Sequence, residues 1–268
     1  MADFGGGNAR YTNPLNKLVR SGAQKGLLKT AVWGLCDVSV HGLEHLTRVP
    51  DSSAFIVVGN HSSHFDAPLI LGALPNKISS RLSTGAAADY FFKKWYTALP
   101  TELFFNAFPV DRKGTRGHRG KSSELLEQGV PILLFPEGTR SRTGGMGPFK
   151  PGAAALAISH NIPVLPIALV GAYAAWPSGD SRWRPGRPPV HVVLGAPMMP
   201  SPGEIAHQFS ERLRREVISL HDTTARAYGM PLQADMMRNA AIEKARAKEQ
   251  PEQTRQAGRP QDDPETAG

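Results

Sequence analysis

Two residues that could exchange a proton with a substrate lie close together near position 60. His61 and Asp66 directly follow the apolar run 54–58, which predicts a buried strand. Open α/β sheets have their ligand crevices at the carboxyl ends of such strands. Residues five apart lie about 140° apart on a helix of 3.6 residues per turn. The pair can therefore meet only if His61 lies in the turn and Asp66 has already entered a helix.

In that arrangement the two side chains could form an acid–base pair. The carboxylate of Asp66 would fix the imidazole tautomer and stabilise the imidazolium, leaving the other ring nitrogen to accept a proton. A histidine that merely closes a turn, beside an aspartate at a helix start, is the structural alternative. The Gly-x-Ser-x-Gly pattern of a hydrolase nucleophile is absent. Cys36 lies far upstream, and a lone cysteine there is more often a small hydrophobic residue than a nucleophile. A catalytic pair here would therefore activate a hydroxyl of the substrate.

A second polar turn, residues 135–141, follows the apolar run 131–135. Gly138 permits a tight turn, and Arg140 has the planar fork that suits phosphate oxygens. Glu137 could accept a hydrogen bond from a sugar or glycerol hydroxyl, or could orient Arg140. A solvated turn would explain any one of these residues, but less well why all of them follow one strand.

The segment 112–122 is a further candidate for anion binding, with five basic residues and three glycines in eleven positions. Its end, Gly120-Lys121-Ser122, imitates a phosphate-binding P-loop. That motif needs a glycine at position 115, where this chain has threonine. A basic loop remains, which suits phosphate but is equally explained as a solvated run of charge.

The elements that must position these turns alternate along the chain. Apolar strands are predicted at 54–58, 131–135, 164–170 and 190–194, and helices at 66–74, 152–160 and 202–228. This alternation is typical of an α/β fold with a mixed central sheet flanked by helices.

The two ends of the chain differ from this central domain, residues 41–230. Residues 1–13 are glycine-rich and predicted to be flexible, and residues 243–268 are polar, lack aromatic residues and predict a disordered tail. Residues 14–40 read as an amphipathic helix from Pro14 to about Asp37, with no acidic residue before Asp37. Its basic residues are Lys17, Arg20, Lys25 and Lys29. This composition fits an interfacial membrane helix, and equally a surface helix whose apolar face packs on the core.

The charge of the chain narrows the choice of partner. The net charge is +8 over 268 residues, and residues 1–150 carry 18 basic against 11 acidic side chains. Such a protein attracts nucleic acid, anionic lipid or a phosphorylated substrate. One cysteine excludes a disulfide framework. The sequence contains neither an apolar run of ~18–20 residues nor a leader of secretory type at its start. We therefore expect a protein on the cytosolic side that does not span a bilayer.

Four blocks in this order resemble those of the glycerolipid acyltransferases, and most closely the 1-acylglycerol-3-phosphate acyltransferase group, called PlsC-like. The resemblance covers residues 54–172, and its blocks are Asn60-His61 with Asp66, 108–112, 135–141 and 164–167. It implies a glycerol-3-phosphate acyltransferase-like fold. It also implies transfer of a fatty acyl group from acyl-CoA or acyl-carrier protein to the free hydroxyl of 1-acylglycerol 3-phosphate, giving phosphatidic acid. No metal or cofactor is implied besides the acyl thioester.

The resemblance also implies individual roles. His61 would be the general base and Asp66 would hold and polarise it. The acceptor phosphate would be bound by residues of the third block, assisted by Arg112 and, less directly, by Lys150. The third-block residues are Glu137, Gly138, Thr139, Arg140 and Ser141. His64 falls at a variable position of the first block and is interpreted as structural.

Two departures from the family pattern leave some contacts open. Residues 83–89 lack the lysine that many members carry there, and Pro109 precedes the expected apolar pair of the second block. Another lysophospholipid, glycerol 3-phosphate or a glycolipid could be the acceptor instead. A basic membrane-binding or nucleic-acid-binding module is the non-enzymatic alternative. We expect an anionic membrane surface as partner, at its cytoplasmic face, and no nucleic acid.

Overall fold

The computed structural model describes residues 11, 13–49, 53–87, 105–110 and 119–242. The strands are β1 (Asp37–His41), β2 (Ile56–Gly59), β3 (Ser83–Ala87), β4 (Phe108–Val110), β5 (Ile132–Leu134), β6 (Val164–Val170) and β7 (Pro189–Leu194). The α-helices are α1 (Pro14–Gly22), α2 (Lys29–Leu35), α3 (Asp66–Ala73), α4 (Asn76–Ser79), α5 (Arg119–Glu127), α6 (Gly152–His160), α7 (Ala172–Ala175) and α8 (Ala206–Ala227). A π-helix (Ala23–Leu28) joins α1 to α2, and a 3₁₀ helix (Leu43–Arg48) follows β1.

The strands form one mixed sheet in the order β1-β7-β6-β2-β5-β3-β4. All neighbouring pairs are parallel except β6 and β7, which are antiparallel. Every residue of β2 and β6 is buried, as expected for central strands covered on both faces. The mixed sheet flanked by helices that the sequence predicts is thus confirmed.

Each face of the sheet has its own apolar core. Alternate residues of β2 divide between them: Ile56 and Val58 belong to the core beneath α5, α6 and α8, while Val57 belongs to the core beneath α2 and α3. The sheet is therefore the middle of three layers. The carboxyl ends of β2 and β5 lie side by side, because Val58 pairs with Leu134 in parallel register.

The N-terminal helical run, α1 through α2, turns part of its polar side toward the protein. Arg20 is buried and donates to the carbonyl oxygen of Ser80 at 2.9 Å. Lys25 Nζ donates to the carbonyl oxygens of Leu71, Gly72 and Leu74 at 3.2, 3.1 and 2.6 Å. These carbonyls lie at the C-terminus of α3, where a cation is electrostatically favoured.

Apolar side chains of the same run point away from the protein. Leu15, Leu18 and Leu27 are 66%, 70% and 66% exposed. Further along, Val32 is buried and the Trp33 ring packs against Gly72 so closely that a Cβ there would lie 2.5 Å from it. The run therefore matches neither sequence interpretation in full: α2 packs its apolar residues on the core, α1 exposes its leucines, and the π-helix exposes Leu27 but packs Leu28 on the core.

Several boundaries differ from the sequence prediction. The helical run ends at Leu35, so the predicted segment 14–40 is too long and contains most of β1. Strands β1, β3 and β4 were not predicted, whereas α6 and β6 have the predicted bounds. The predicted tail, 243–268, and residues 1–10 lie outside the described residues. Within the part of the chain that the structure describes, no helix is both long and apolar enough to cross a bilayer.

Candidate active site

His61 and Asp66 do meet, in the arrangement that their spacing requires. His61 lies in the turn after β2, and Asp66 is the first residue of α3. Asp66 Oδ2 lies 2.8 Å from His61 Nδ1 and also accepts hydrogen bonds from the backbone amides of Ser62 and Ser63, at 2.7 and 2.8 Å. Asp66 is 0% exposed. Three donors on one buried oxygen fix the carboxylate, and the carboxylate in turn fixes the imidazole.

The free side of the imidazole is Nε2. Because Nδ1 bonds a carboxylate, the tautomer protonated at Nδ1 is favoured and Nε2 carries the lone pair. The ring stacks on Phe135, with centroids 4.1 Å apart and planes inclined by 15°. Its side chain is 20% exposed. His61 can therefore accept a proton from a molecule that approaches from solvent.

Asn60 joins the end of β2 to β6. Its side-chain amide donates to the Leu169 carbonyl at 3.0 Å, and its side-chain oxygen accepts from the Leu169 amide at 2.8 Å. The residue before His61 is thus locked to the neighbouring strand. Sequence reasoning used Asn60 only as part of a motif, and its role depends on strand order.

Glu137 ties the turn after β5 to the main chain of His61. Its Oε1 accepts from the His61 amide at 2.7 Å, and its Oε2 accepts from the Gly147 amide at 3.0 Å. Burial raises the pKa of Glu137 to about 7, although both amides and the charge of Arg214 oppose that rise. The His61 carbonyl also accepts from the Ser141 amide, at 2.7 Å. His61 is therefore held through its ring, its amide and its carbonyl.

Arg140 lies against the ring of His64, which the sequence analysis interpreted as structural. Its Nη1 contacts both ring nitrogens and lies 3.1 Å from Nε2. Burial, and then the positive charge of Arg140, lower the pKa of His64. A neutral His64 can accept a hydrogen bond from the guanidinium. His64 thus holds Arg140 beside the turn of His61, whose carbonyl accepts from the next residue, Ser141. The alternative in which Glu137 orients Arg140 has no such contact, since Glu137 bonds backbone amides.

Lys150 comes to the same turn by passing over Gly138. Gly138 has φ +75°, and a Cβ there would lie 2.7 Å from Lys150 Nζ. The positive backbone angle therefore favours glycine, and the close contact shows how near the Lys150 side chain lies to this turn. The Lys150 amide also donates to the Pro136 carbonyl at 2.9 Å. The turn thus brings a guanidinium and an ammonium, from Arg140 and Lys150, to one strand end.

The remaining predicted residues are placed as follows. Thr139 is exposed and Ser141 half-buried in the same turn, while Arg112 lies outside the described residues. Ser141 contributes its main chain: its amide bonds His61, and its carbonyl accepts from Ser178 Oγ at 2.6 Å. Among the described residues, no three side chains of His, Cys, Asp or Glu are grouped so as to bind a metal ion.

Comparison with known proteins defines the class of protein that carries this site. An acyltransferase family model matches residues 37–170, half of the chain, and includes both turns of the site. The chain belongs to this acyltransferase family, as the sequence motifs predict.

The names of individual relatives are more specific than the description of the family. A 1-acyl-sn-glycerol-3-phosphate acyltransferase from Chlamydomonas reinhardtii is 32% identical over 68% of this chain and 52% of its own length. The alpha form from Bos taurus is 30% identical over 68% of this chain and 62% of its own. The chain thus spans between half and two thirds of these relatives. The crystal structure of the PlsC acyltransferase from Thermotoga maritima is 28% identical and matches with a TM-score of 0.60, over 75% of this chain and 78% of that one.

The raised pKa of Glu137 predicts a pH dependence of stability. The folded state binds the Glu137 proton more tightly than the unfolded chain, so this contribution is fully present below about pH 4.5 and is lost as pH rises through about 7. Urea unfolding between pH 5 and 8 should show the free energy of unfolding falling by up to ~3 kcal/mol more in the wild type than in Glu137→Gln.

The matched control is Glu127→Gln, which changes an exposed carboxylate on α5 and should keep the wild-type slope. Parallel pH profiles for the wild type and Glu137→Gln would contradict the assignment.

Proposed function

We propose that the chain transfers a fatty acyl group from an acyl thioester to the free hydroxyl of 1-acylglycerol 3-phosphate, giving phosphatidic acid for phospholipid synthesis. The observation that carries this proposal is the His61–Asp66 pair, which leaves His61 Nε2 available and is hydrogen-bonded to the turn after β5, where Arg140 and Lys150 lie. The names of the relatives, 1-acyl-sn-glycerol-3-phosphate acyltransferases, support the same acceptor.

The geometry suits direct transfer without an acyl-enzyme. Among the described residues, no serine or cysteine side chain is hydrogen-bonded to the His61 ring. Nε2 removes the proton from the acceptor hydroxyl as its oxygen attacks the thioester carbonyl, and Asp66 stabilises the imidazolium that forms. The carbon–sulfur bond then breaks, and the departing thiolate takes the proton from His61. The products are an ester and a free thiol, and His61 returns to its neutral form.

Arg140 and Lys150 would bind the phosphate of the acceptor. A guanidinium forms two parallel hydrogen bonds with phosphate oxygens, and an ammonium adds a point charge. This arrangement favours a phosphate monoester over a glycolipid. Acyl-CoA and acyl-carrier protein both present the same thioester, and an assay with each donor distinguishes them.

A peripheral location on the cytoplasmic face of an anionic membrane fits the N-terminal run. Leu15 and Leu18 of α1 and Leu27 of the π-helix are exposed. The run that carries them is basic. Helices of this kind lie in the headgroup region of a bilayer. The acceptor and the product both reside in that layer. The non-enzymatic alternative, a module that binds nucleic acid, would instead give steeply salt-dependent binding to duplexes.

Removing the base should abolish transfer. His61→Ala should lower kcat for lysophosphatidic acid by ~10²–10⁴-fold, and Asp66→Asn should lower it in the same direction, because neither variant can form the polarised imidazole. Transfer of radiolabelled acyl groups to lysophosphatidic acid measures this, with circular dichroism as the test of folding. His207→Ala, an exposed change on α8, is the control. Full activity in folded His61→Ala would rule out the mechanism.

The acceptor phosphate should be recognised through Arg140. Arg140→Gln should lower kcat/KM for lysophosphatidic acid by ~10- to 100-fold, the range for losing a hydrogen bond to a charged group. Activity toward monoacylglycerol, which lacks the phosphate, should already be low and should not fall further. Arg142→Gln, two residues along and exposed, should behave as the wild type. Equal losses on both acceptors would contradict a phosphate contact.

Membrane binding should depend on the exposed leucines. Leu15→Gln, Leu18→Gln and Leu27→Gln combined should reduce cosedimentation with vesicles of phosphatidylglycerol and phosphatidylcholine at least tenfold, because less apolar area enters the bilayer. Leu43→Gln, an exposed leucine outside this helix, is the control. Unchanged binding of the triple variant would disprove the interfacial role.

A further inference from the structure

The segment 145–147 completes the support of Glu137, and it is itself held from outside the site. The Gly147 amide donates to Glu137 Oε2 at 3.0 Å. On the other side of that segment, Arg214 Nε donates to the Gly147 carbonyl at 2.8 Å, and Arg214 Nη2 donates to the Met146 carbonyl at 3.0 Å. The Arg214 guanidinium therefore binds two consecutive carbonyls. The shorter of the two hydrogen bonds is to Gly147, whose amide bonds Glu137.

Gln233 holds the same segment from a second direction. Its side-chain oxygen accepts from the Met146 amide at 2.6 Å, and its side chain is buried, with 3% of the residue exposed. The backbone amide of Gln233 donates to Asp222 Oδ1 on α8 at 2.9 Å. The main chain of Met146 is thus hydrogen-bonded at both its carbonyl and its amide. The partner of the carbonyl, Arg214, lies on α8, and the partner of the amide, Gln233, follows α8 in the chain.

Helix α8 is a rigid support for these contacts. It is 22 residues long, and Leu213 and Val217 on either side of Arg214 are buried in the core beneath the sheet. A guanidinium carried by so well packed a helix has little freedom to follow a moving loop. Arg214 therefore connects the loop 145–147 to a helix whose neighbouring residues are anchored in the core.

The charges around Glu137 give this contact an electrostatic role as well. The positive charge of Arg214 lowers the pKa of Glu137, whereas Asp66 on α3 raises it. Lys150 crosses the neighbouring Gly138. An ionised carboxylate accepts from two amides at once, one on each oxygen, but a protonated one presents a hydroxyl to one of them. Arg214 thus favours the form of Glu137 that can hold both His61 and Gly147.

We propose that Arg214 and Gln233 are positioning residues for His61. They fix 145–147, this segment fixes Glu137, and Glu137 fixes the main chain of His61. Both residues lie beyond the matched family segment, 37–170. The inference rests on the proposed function, in which His61 is the base. A small displacement of a catalytic group can cost ~10²-fold in rate, so the chain of contacts should act on kcat rather than on KM.

The first test compares four variants with the wild type. Arg214→Gln should lower kcat by ~10- to 100-fold with little change in KM, and should move the acidic limb of the kcat–pH profile upward as Glu137 becomes easier to protonate. Arg214→Lys keeps the charge and should recover part of the rate. Gln233→Met, which keeps the volume but loses the acceptor, should lower kcat less. Arg215→Gln, the adjacent exposed arginine, should leave both parameters unchanged.

A double-mutant cycle separates this relay from general destabilisation. Once Glu137→Gln has broken the link, adding Arg214→Gln should cost little more, so the combined loss should be far smaller than the product of the single losses. Multiplicative losses, or an effect of Arg214→Gln no larger than that of Arg215→Gln, would overturn the inference.

A measurement that does not depend on enzymatic activity tests the inference separately from the proposed function. Titration of ¹³C-labelled glutamate by NMR should show the pKa of Glu137 rising in Arg214→Gln and staying unchanged in Arg215→Gln. A wild-type chain that acylates no acceptor would refute the proposed function, yet this shift would still establish the coupling between Arg214 and Glu137. An unchanged Glu137 titration in folded Arg214→Gln would overturn it.

Discussion

The position of His61 depends on two carboxylates, one at the start of helix α3 and one in the turn after β5. Asp66 binds the imidazole ring of His61, and Glu137 binds the main-chain amide of the same residue. Each carboxylate also bonds backbone amides of its surroundings, so neither can move alone. In the proposed function His61 accepts and returns a proton, which requires a fixed orientation. Hydrogen bonds to ionised carboxylates, which are stronger than neutral ones, supply that orientation.

This arrangement requires a particular strand order. His61 and Glu137 lie 76 residues apart in the chain, and they meet because β2 and β5 are parallel neighbours. On its other side β2 pairs with β6, to which Asn60 is bonded. The turn of His61 is therefore bounded by a strand on each side. Gly138 is favoured at this strand end because the turn after β5 gives it a φ of +75°, which side-chain-bearing residues rarely adopt.

The sequence predicts the central strands well and the outer ones poorly, for physical reasons. β2 and β6 are apolar runs, of four and seven residues, that predict buried strands, whereas β3 (Ser83–Ala87) consists of small residues and β4 (Phe108–Val110) is only three residues long. The His61–Asp66 contact could be predicted because it is local. The contacts of Glu137 could not, since its partners are backbone amides, which every residue type offers. Arg214 was equally unpredictable, because its role arises from the packing of α8 against a loop 67 residues earlier.

Helix α3 links His61 to the N-terminal run. Its first residue, Asp66, holds His61, and the carbonyls at its other end accept the three hydrogen bonds of Lys25. Its eight residues span ~12 Å, and Leu69, Ile70 and Leu71 are buried. The same run that directs Lys25 inward leaves Leu15, Leu18 and Leu27 exposed. Exposed apolar side chains of this size are unfavourable in water and would be covered by lipid in the proposed membrane location. The half-buried Lys25 thus anchors the run that carries the exposed leucines to the C-terminal end of α3, one short helix away from the His61–Asp66 pair.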